Sequence, residues 1–294
     1  PTVLDGLTAR NDIRLDNTSL ALFGQLSWKL TDALTVQPGL RVNYDKKTGL
    51  YDSVVTNGAG QLVTFASTDP RIVAQRGVLA PQHFEPEFSA WNFSYDLTLS
   101  YKLADSVMAY ATYAKSFKSG GINLNGVPAD AAGNPLLAAA TVKPESVNHY
   151  EIGIKTQFWD RKATLNLSAF RTDISGQRLP GVLKWSLSYG LEGNVPARLL
   201  GAEGQIYLGV DGSFRTNFSS NPSPSAYTWI DGYALTNLRL GFRTEGGLNV
   251  YGWVRNAFDV DYFEQLAVPS GNTGLIVGSP GDPRTFGGTI KVEF

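Results

Sequence analysis

The chain lacks cysteine throughout its 294 residues. That single absence removes disulfides, Cys-ligated zinc, a thiol nucleophile and an iron–sulfur centre. It does not fix the compartment, because an oxidising environment permits disulfides without requiring them. Histidine is nearly as scarce, with His83 and His149 alone. His83 lies in His83-Phe84-Glu85-Pro86-Glu87, a solvated loop pattern with no second His or Cys to close a metal site, so no metal is expected. Charge of either sign is not in excess: the formal net charge is −1, which gives no reason to expect a nucleic-acid partner. No run of about 18 uncharged apolar residues occurs, so no transmembrane helix is expected. There is no G-x-S-x-G elbow with ordered triad partners and no phosphate loop, and the Gly120-Gly121 pair is not followed by a helix. The chain is not expected to be an enzyme, and no catalytic residue or cofactor is assigned.

What is present in quantity is glycine and aromatics. Thirty-one Gly, 13 Tyr, 15 Phe and 6 Trp accompany a single Met. This mixture suits strands, turns and aromatic girdles better than helices. The mean hydropathy of −0.12 does not argue against a membrane, because alternating strands average to near zero.

The period of the apolar residues decides the class. In residues 91–103, Trp91, Phe93, Tyr95, Leu97, Leu99, Tyr101 and Leu103 share one side. Asn92, Ser94, Asp96, Thr98, Ser100 and Lys102 share the other. That is period two over about 13 residues, beyond the usual five or six and long enough to cross a ~30 Å apolar layer at a tilt. Related patterns recur in residues 19–30, 34–45, 149–158, 185–191, 206–214, 234–242 and 286–294, with less clean stretches at 107–115, 163–173 and 248–256. About eleven strands are expected. Their connections alternate: short turns near 31–33, 104–106, 159–162, 196–204 and 244–247, long ones near 46–88, 117–146, 216–231 and 260–285. Outer-membrane barrels sort their turns this way, with short turns periplasmic and long loops outside. The expected fold is an all-β, transmembrane, antiparallel up-and-down β-barrel. A soluble β-sandwich is the rival, and it requires the apolar sides to face a dry core.

Several segments resemble the TonB-dependent outer-membrane receptors. Met108 to Gly121, reading MAYATYAKSFKSGG, resembles the family's YA-x-Y barrel segment ending in SGG. Pro144-Glu145 followed by Tyr150-Glu151-Ile152-Gly153-Ile154-Lys155 is similar to its PE…YE-x-G-x-K segment. Asn256-Ala257-Phe258-Asp259 with Tyr262 resembles its NLFD-x-x-Y box, and Pro283-Arg284-Thr285-Phe286-Gly287 its closing segment. The order agrees across roughly residues 90–294, and the boxes are read mainly as barrel-building features.

The resemblance implies a portion of a 22-stranded barrel with a plugged lumen. Residues 1–294 are read as barrel, with neither plug domain nor TonB box among them. With the C-terminus periplasmic, an odd strand count places Pro1 outside the cell, so the sequence is expected to be incomplete. Export requires a leader, so both a removed leader and a true start upstream of Pro1 are expected. Phe170 to Ile174 and the segment from Ser175 resemble strands usually separated by a hairpin, with Asn194 to Glu203 out of place; omitted residues are the expectation.

By the same resemblance, the function is active uptake of a scarce nutrient at the outer membrane of a Gram-negative bacterium. A ferric siderophore leads cobalamin, haem and oligosaccharides as cargo. The implied partners are the TonB-ExbB-ExbD energising complex, the barrel assembly machinery, which reads the final aromatic Phe294, and outer-membrane lipid. The ligand-contacting candidates are Tyr51, Phe65, His83, Phe84 and Tyr227 in the long loops. Arg41, Asp45, Asp96, Lys102, Glu151, Lys155, Asp211 and Arg215 are expected to face the lumen and hold a plug. The alternative is a passive porin or structural membrane component without energy coupling.

Overall fold

A computed structural model describes residues 3–175, 181–221, 225–269 and 274–293. Phe294 and residues 176–180 lie outside that set. Eleven long strands carry the fold: β1 Thr8–Gln25, β2 Leu34–Thr56, β3 Glu87–Ala104, β4 Val107–Lys118, β5 Glu145–Phe158, β6 Ala163–Ser175, β7 Trp185–Leu199, β8 Ala202–Arg215, β9 Tyr233–Thr244, β10 Leu248–Arg255 and β11 Thr285–Val292. Their order in the sheet is their order in the sequence, from β1 at one edge to β11 at the other. From β5 to β11 each strand pairs antiparallel with the next. Among the described residues this is an up-and-down meander, in the number of long strands the alternation predicts.

Contacts divide the chain into two units. One comprises Pro1–Phe23, Arg41–Ser94 and Phe117–Glu145; the other comprises Gly24–Leu40, Tyr95–Ser116 and Ser146–Phe294. In the first, β2 runs on to Thr56, well past the expected strand end near residue 45, and the short strand Gln82–Phe84 pairs back on Tyr51–Ser53. Asp69 caps the helix Pro70–Arg76 by accepting from Arg71 N at 2.8 Å, with proline at the first helical position. In the second unit, the long connections hold small strand pairs of their own, Phe218–Ser219 with Trp229–Ile230 and Phe263–Ala267 with Val277–Pro280.

The polarity of the sheet is inverted relative to a soluble protein. Along β3, Trp91 is 62 % exposed and Leu99 42 %, whereas Asn92 between them in phase is only 7 % exposed. The same holds further along: Ile152, Leu208, Leu240, Phe286 and Ile290 are exposed, and their alternating partners Glu151, Asn237, Arg239 and Thr289 are half-buried or flank half-buried positions. A soluble sandwich requires the reverse.

One expected turn is shorter than the sequence suggested. Residues 196–199 continue β7, and only Leu200 and Gly201, both at positive φ, form the hairpin. Pro196 is tolerated because β6 ends at Ala163↔Gly193. Asn194 sends its N–H to Lys162 O on that side, so the N–H that proline lacks falls where β7 has no further neighbour. Asn194 to Glu203 fall in the hairpin between β7 and β8.

The inverted polarity generates a test. In lipid vesicles, Leu97→Arg on the exposed apolar face is expected to lower the unfolding free energy by about 2–4 kcal/mol. Ser100→Lys on the polar face is expected to change it by less than about 1 kcal/mol. Equilibrium urea unfolding of both variants measures the difference.

Candidate functional site

The polar face of β7 to β10 carries one connected ionic network. Strand alternation puts Glu192, Asp211, Asn237, Arg239 and Arg243 on that face, and antiparallel register brings them level across three strands. Arg239 donates to Asp211 at 3.1 Å and to Glu192 at 3.0 Å. Arg243 donates to the other oxygen of Glu192 at 2.9 Å, and Asn237 donates to Asp211 at 3.0 Å. Charges alternate in sign, and each carboxylate takes two donors.

The network depends on small residues. Arg239 lies flat over Gly209, where an added Cβ would stand 2.6 Å from its Nε, and so reaches Glu192 two strands away. Tyr207 crosses Gly241 in the same manner, its hydroxyl donating to Asn249 at 2.9 Å and its ring taking the Arg243 guanidinium at 4.9 Å. On β4 and β5, Tyr110 crosses Gly153 to donate to Glu151 at 2.6 Å, with Lys155 over its ring at 5.7 Å. His149 joins from the same face, 3.5 Å from Glu151 and 3.2 Å from the Thr172 hydroxyl. The result is a wall of half-buried charge held by ion pairs and hydrogen bonds. Among the described residues, no group of three His, Asp or Glu side chains could hold a metal.

In the other unit, Asp45 is buried and accepts from the Ser19 hydroxyl at 2.7 Å and the Ser119 hydroxyl at 3.1 Å. Lys47 donates to Gly120 O, and a Cβ on Gly120 would meet the Phe88 ring. The SGG segment is thus a close-packed corner. Among the described residues, three buried side-chain atoms, Gln75 Oε1, Asn92 Nδ2 and Glu145 Oε2, find no hydrogen-bond partner.

The ligand candidates fall into different settings. Tyr51 and Phe84 are buried, their rings 5.1 Å apart, in a core with Val127 and Ala140. Gln82 holds that core by clamping both the N–H and C=O of Val127. His83 sits beside them in sequence with its side chain exposed and 3.2 Å from Asp52. Phe65 packs under Arg76 at 5.1 Å. Tyr227, 76 % exposed, stands on a short turn separate from these. In the connection between β4 and β5, Asp130 accepts from Asn134 and Ala132; the Asn134 side chain foremost holds its carboxyl below the usual value.

The remaining boxes prove to be a clamp. Asn256, buried and at φ 48°, accepts from Val260 N at 2.9 Å and donates to Val260 O and Asp282 O. Asp259 accepts from Arg284 N at 3.0 Å and pairs with its guanidinium at 3.4 Å. The two boxes therefore pin both ends of the connection between β10 and β11. Arg239, Arg243 and Glu192 escaped the sequence reading, although the four-residue spacing of the arginines on one strand already puts them on one face.

Residues 2–177 match the family described as TonB dependent receptor-like, beta-barrel. The chain is similar to the ferric yersiniabactin uptake receptor of Yersinia pestis, with TM-score 0.57 and 16 % identity over 97 % of this chain and 47 % of that one. It is similar also to an iron transporter of Neisseria meningitidis, with TM-score 0.53 and 11 % identity over 96 % of this chain and 46 % of that one. At these identities the likeness shows the fold, and the chain spans about half the length of either structure.

Two substitutions test the site. Glu192→Ala leaves two guanidinium groups without their shared acceptor and is expected to cost about 1 kcal/mol in detergent unfolding, discounted for partial exposure; Glu192→Gln is expected to recover part of it. Asn256→Ala removes three bonds from a buried position and is expected to cost about 2–3 kcal/mol. It should also speed proteolysis within residues 257–284, measured by limited digestion.

Proposed function

Because the chain belongs to the TonB-dependent receptor β-barrel family, we propose that it forms barrel wall in an outer-membrane receptor that imports a scarce nutrient. A ferric siderophore is the leading cargo, and TonB with its inner-membrane complex supplies the energy. Members of this family are transporters rather than enzymes. The observation that carries the reading is the inverted sheet: apolar side chains exposed on one face, ion-paired and half-buried side chains on the other. Hydrocarbon suits the first face and a hydrated interior the second.

A plug docking on the polar face fits the ion-paired, half-buried side chains that line it. Iron uptake accords with the two similar structures, an uptake receptor for ferric yersiniabactin and an iron transporter. In this reading His83 and Tyr227 are the candidates with side chains open to a ligand, while Tyr51 and Phe84 build the core beneath. Phe294, beyond the described residues, remains the proposed assembly signal.

Uptake of radiolabelled ferric siderophores by iron-starved cells tests the proposal. Deleting the gene should abolish accumulation of at least one, and so should a protonophore or loss of TonB. Accumulation that persists without TonB and the proton gradient would favour a passive porin instead.

A further inference from the structure

Alternation along β2 puts Asp45, Lys47, Gly49 and Tyr51 on its polar face. The start of the connection between β4 and β5 lies along that face in step with them. The Ser119 hydroxyl donates to Asp45, and Gly120 O accepts from Lys47. At Gly49 an added Cβ would stand 2.7 Å from the Ile122 side chain and 2.9 Å from that of Leu124. Further on, Val127 packs with Tyr51, Phe84 and Ala140. Its N–H donates to Gln82 Oε1 at 2.9 Å, and its C=O accepts from Nε2 of the same side chain. The connection then folds back on itself: Leu136 N–H donates to Pro128 O, Asn123 N–H donates to Ala140 O, and Gly121–Ile122 pairs with Thr141–Val142. At its tip, a Cβ on Gly133 would meet the Phe65 ring. From Asp45 to Tyr51 the polar face of β2 is thus roofed by the chain's own backbone.

We infer that this strap is a fixed constriction on the face read as lumenal, which sorts solutes by bulk, and that Gln82 is its positioning residue. The inference rests on the reading of the chain as receptor barrel, which makes the polar face a passage. A lid that opens and closes is drawn from segments with few buried contacts. Here opening would expose Val127 and Ala140, only 7 % and 0 % exposed. It would also strip Gln82 and Asp45, both buried, of the partners that offset their burial. Gln82 suits the task because one amide offers a donor and an acceptor to the two backbone groups of a single residue. Charge has no part in the sorting. Between Lys118 and Lys143 the one ionisable side chain is Asp130, and Ala132 and Asn134 take up its carboxylate within the strap. Leu136, Leu137, Ala138 and Ala139 are exposed, and none carries a group that would hold a polar solute.

Two measurements test this. In hydrogen–deuterium exchange on the purified protein in detergent, residues 121–127 should exchange as slowly as β9 and β10. Gln82→Ala should speed them about tenfold and leave β9 and β10 unchanged. Exchange of 121–127 at the rate of an unstructured peptide in the unaltered protein would overturn the fixed strap. The second measurement uses the absence of cysteine: Arg41→Cys supplies a reporter thiol on the polar face, between the strap and the short turn at 31–33. In intact cells a polyethylene glycol maleimide should label it slowly, and faster once Gln82→Ala is added, while the rate for a small maleimide stays the same. Gln82→Glu, which keeps the acceptor for the Val127 N–H, should fall between. Equal polymer labelling with and without Gln82→Ala would refute the sorting by bulk. Recovery of the protein outside the membrane fraction of cells would instead remove the reading on which the inference rests.

Discussion

The antiparallel ladder is the constraint from which the rest follows. Once each strand is hydrogen-bonded to its sequence neighbours, backbone donors and acceptors are consumed within the sheet, and every side chain is committed to one face or the other. Register is then a global property. The pairing of β7 with β8 and of β8 with β9 sets Glu192, Gly209 and Arg239 in line, and a slip of one residue in either pair would send the arginine to the apolar face. The ionic network and the exposed leucines are therefore two consequences of one registration. Neither can be altered alone.

Glycine has a particular place in that arrangement. On the polar face, long side chains reach across a neighbouring strand instead of standing away from it, and they can do so only where the strand crossed has no Cβ. Gly209 under Arg239, Gly241 under Tyr207 and Gly153 under Tyr110 each open such a path. The wall is thus paved with charge held close to the backbone, which leaves room above it. A protein that must admit other polypeptide or cargo to this face needs that room, and a face of upright arginines and tyrosines would fill it.

Much of this was legible in the sequence, for a physical reason. Alternation with a period of two survives wherever one side meets an apolar medium, so strands such as β3 announce themselves in Trp91 to Leu103. Where strands extend past the apolar zone the signal fades. β1 begins at Thr8 through a charged stretch, and β2 continues to Thr56, and neither extension carries the alternation that would mark it. Tyr51 and Phe84 were read as loop residues on that account, whereas they sit on paired strands and close a small core. Pro196 misled in another way, since its effect depends on whether a neighbouring strand lies on the side of its missing donor. The Glu192 network was illegible because it spans three strands, and composition along one strand says nothing of register across three.

The clamp at Asn256 shows how motif and fold connect. An asparagine adopts positive φ at lower cost than most residues, and its short amide then faces its own backbone. Here that amide secures Val260 and Asp282, while Asp259 secures Arg284. Residues 26 apart in sequence are tied at the foot of one connection, so the segment between them can vary in length and composition without disturbing β10 or β11. These two boxes are therefore better understood as anchors at the base of the connection.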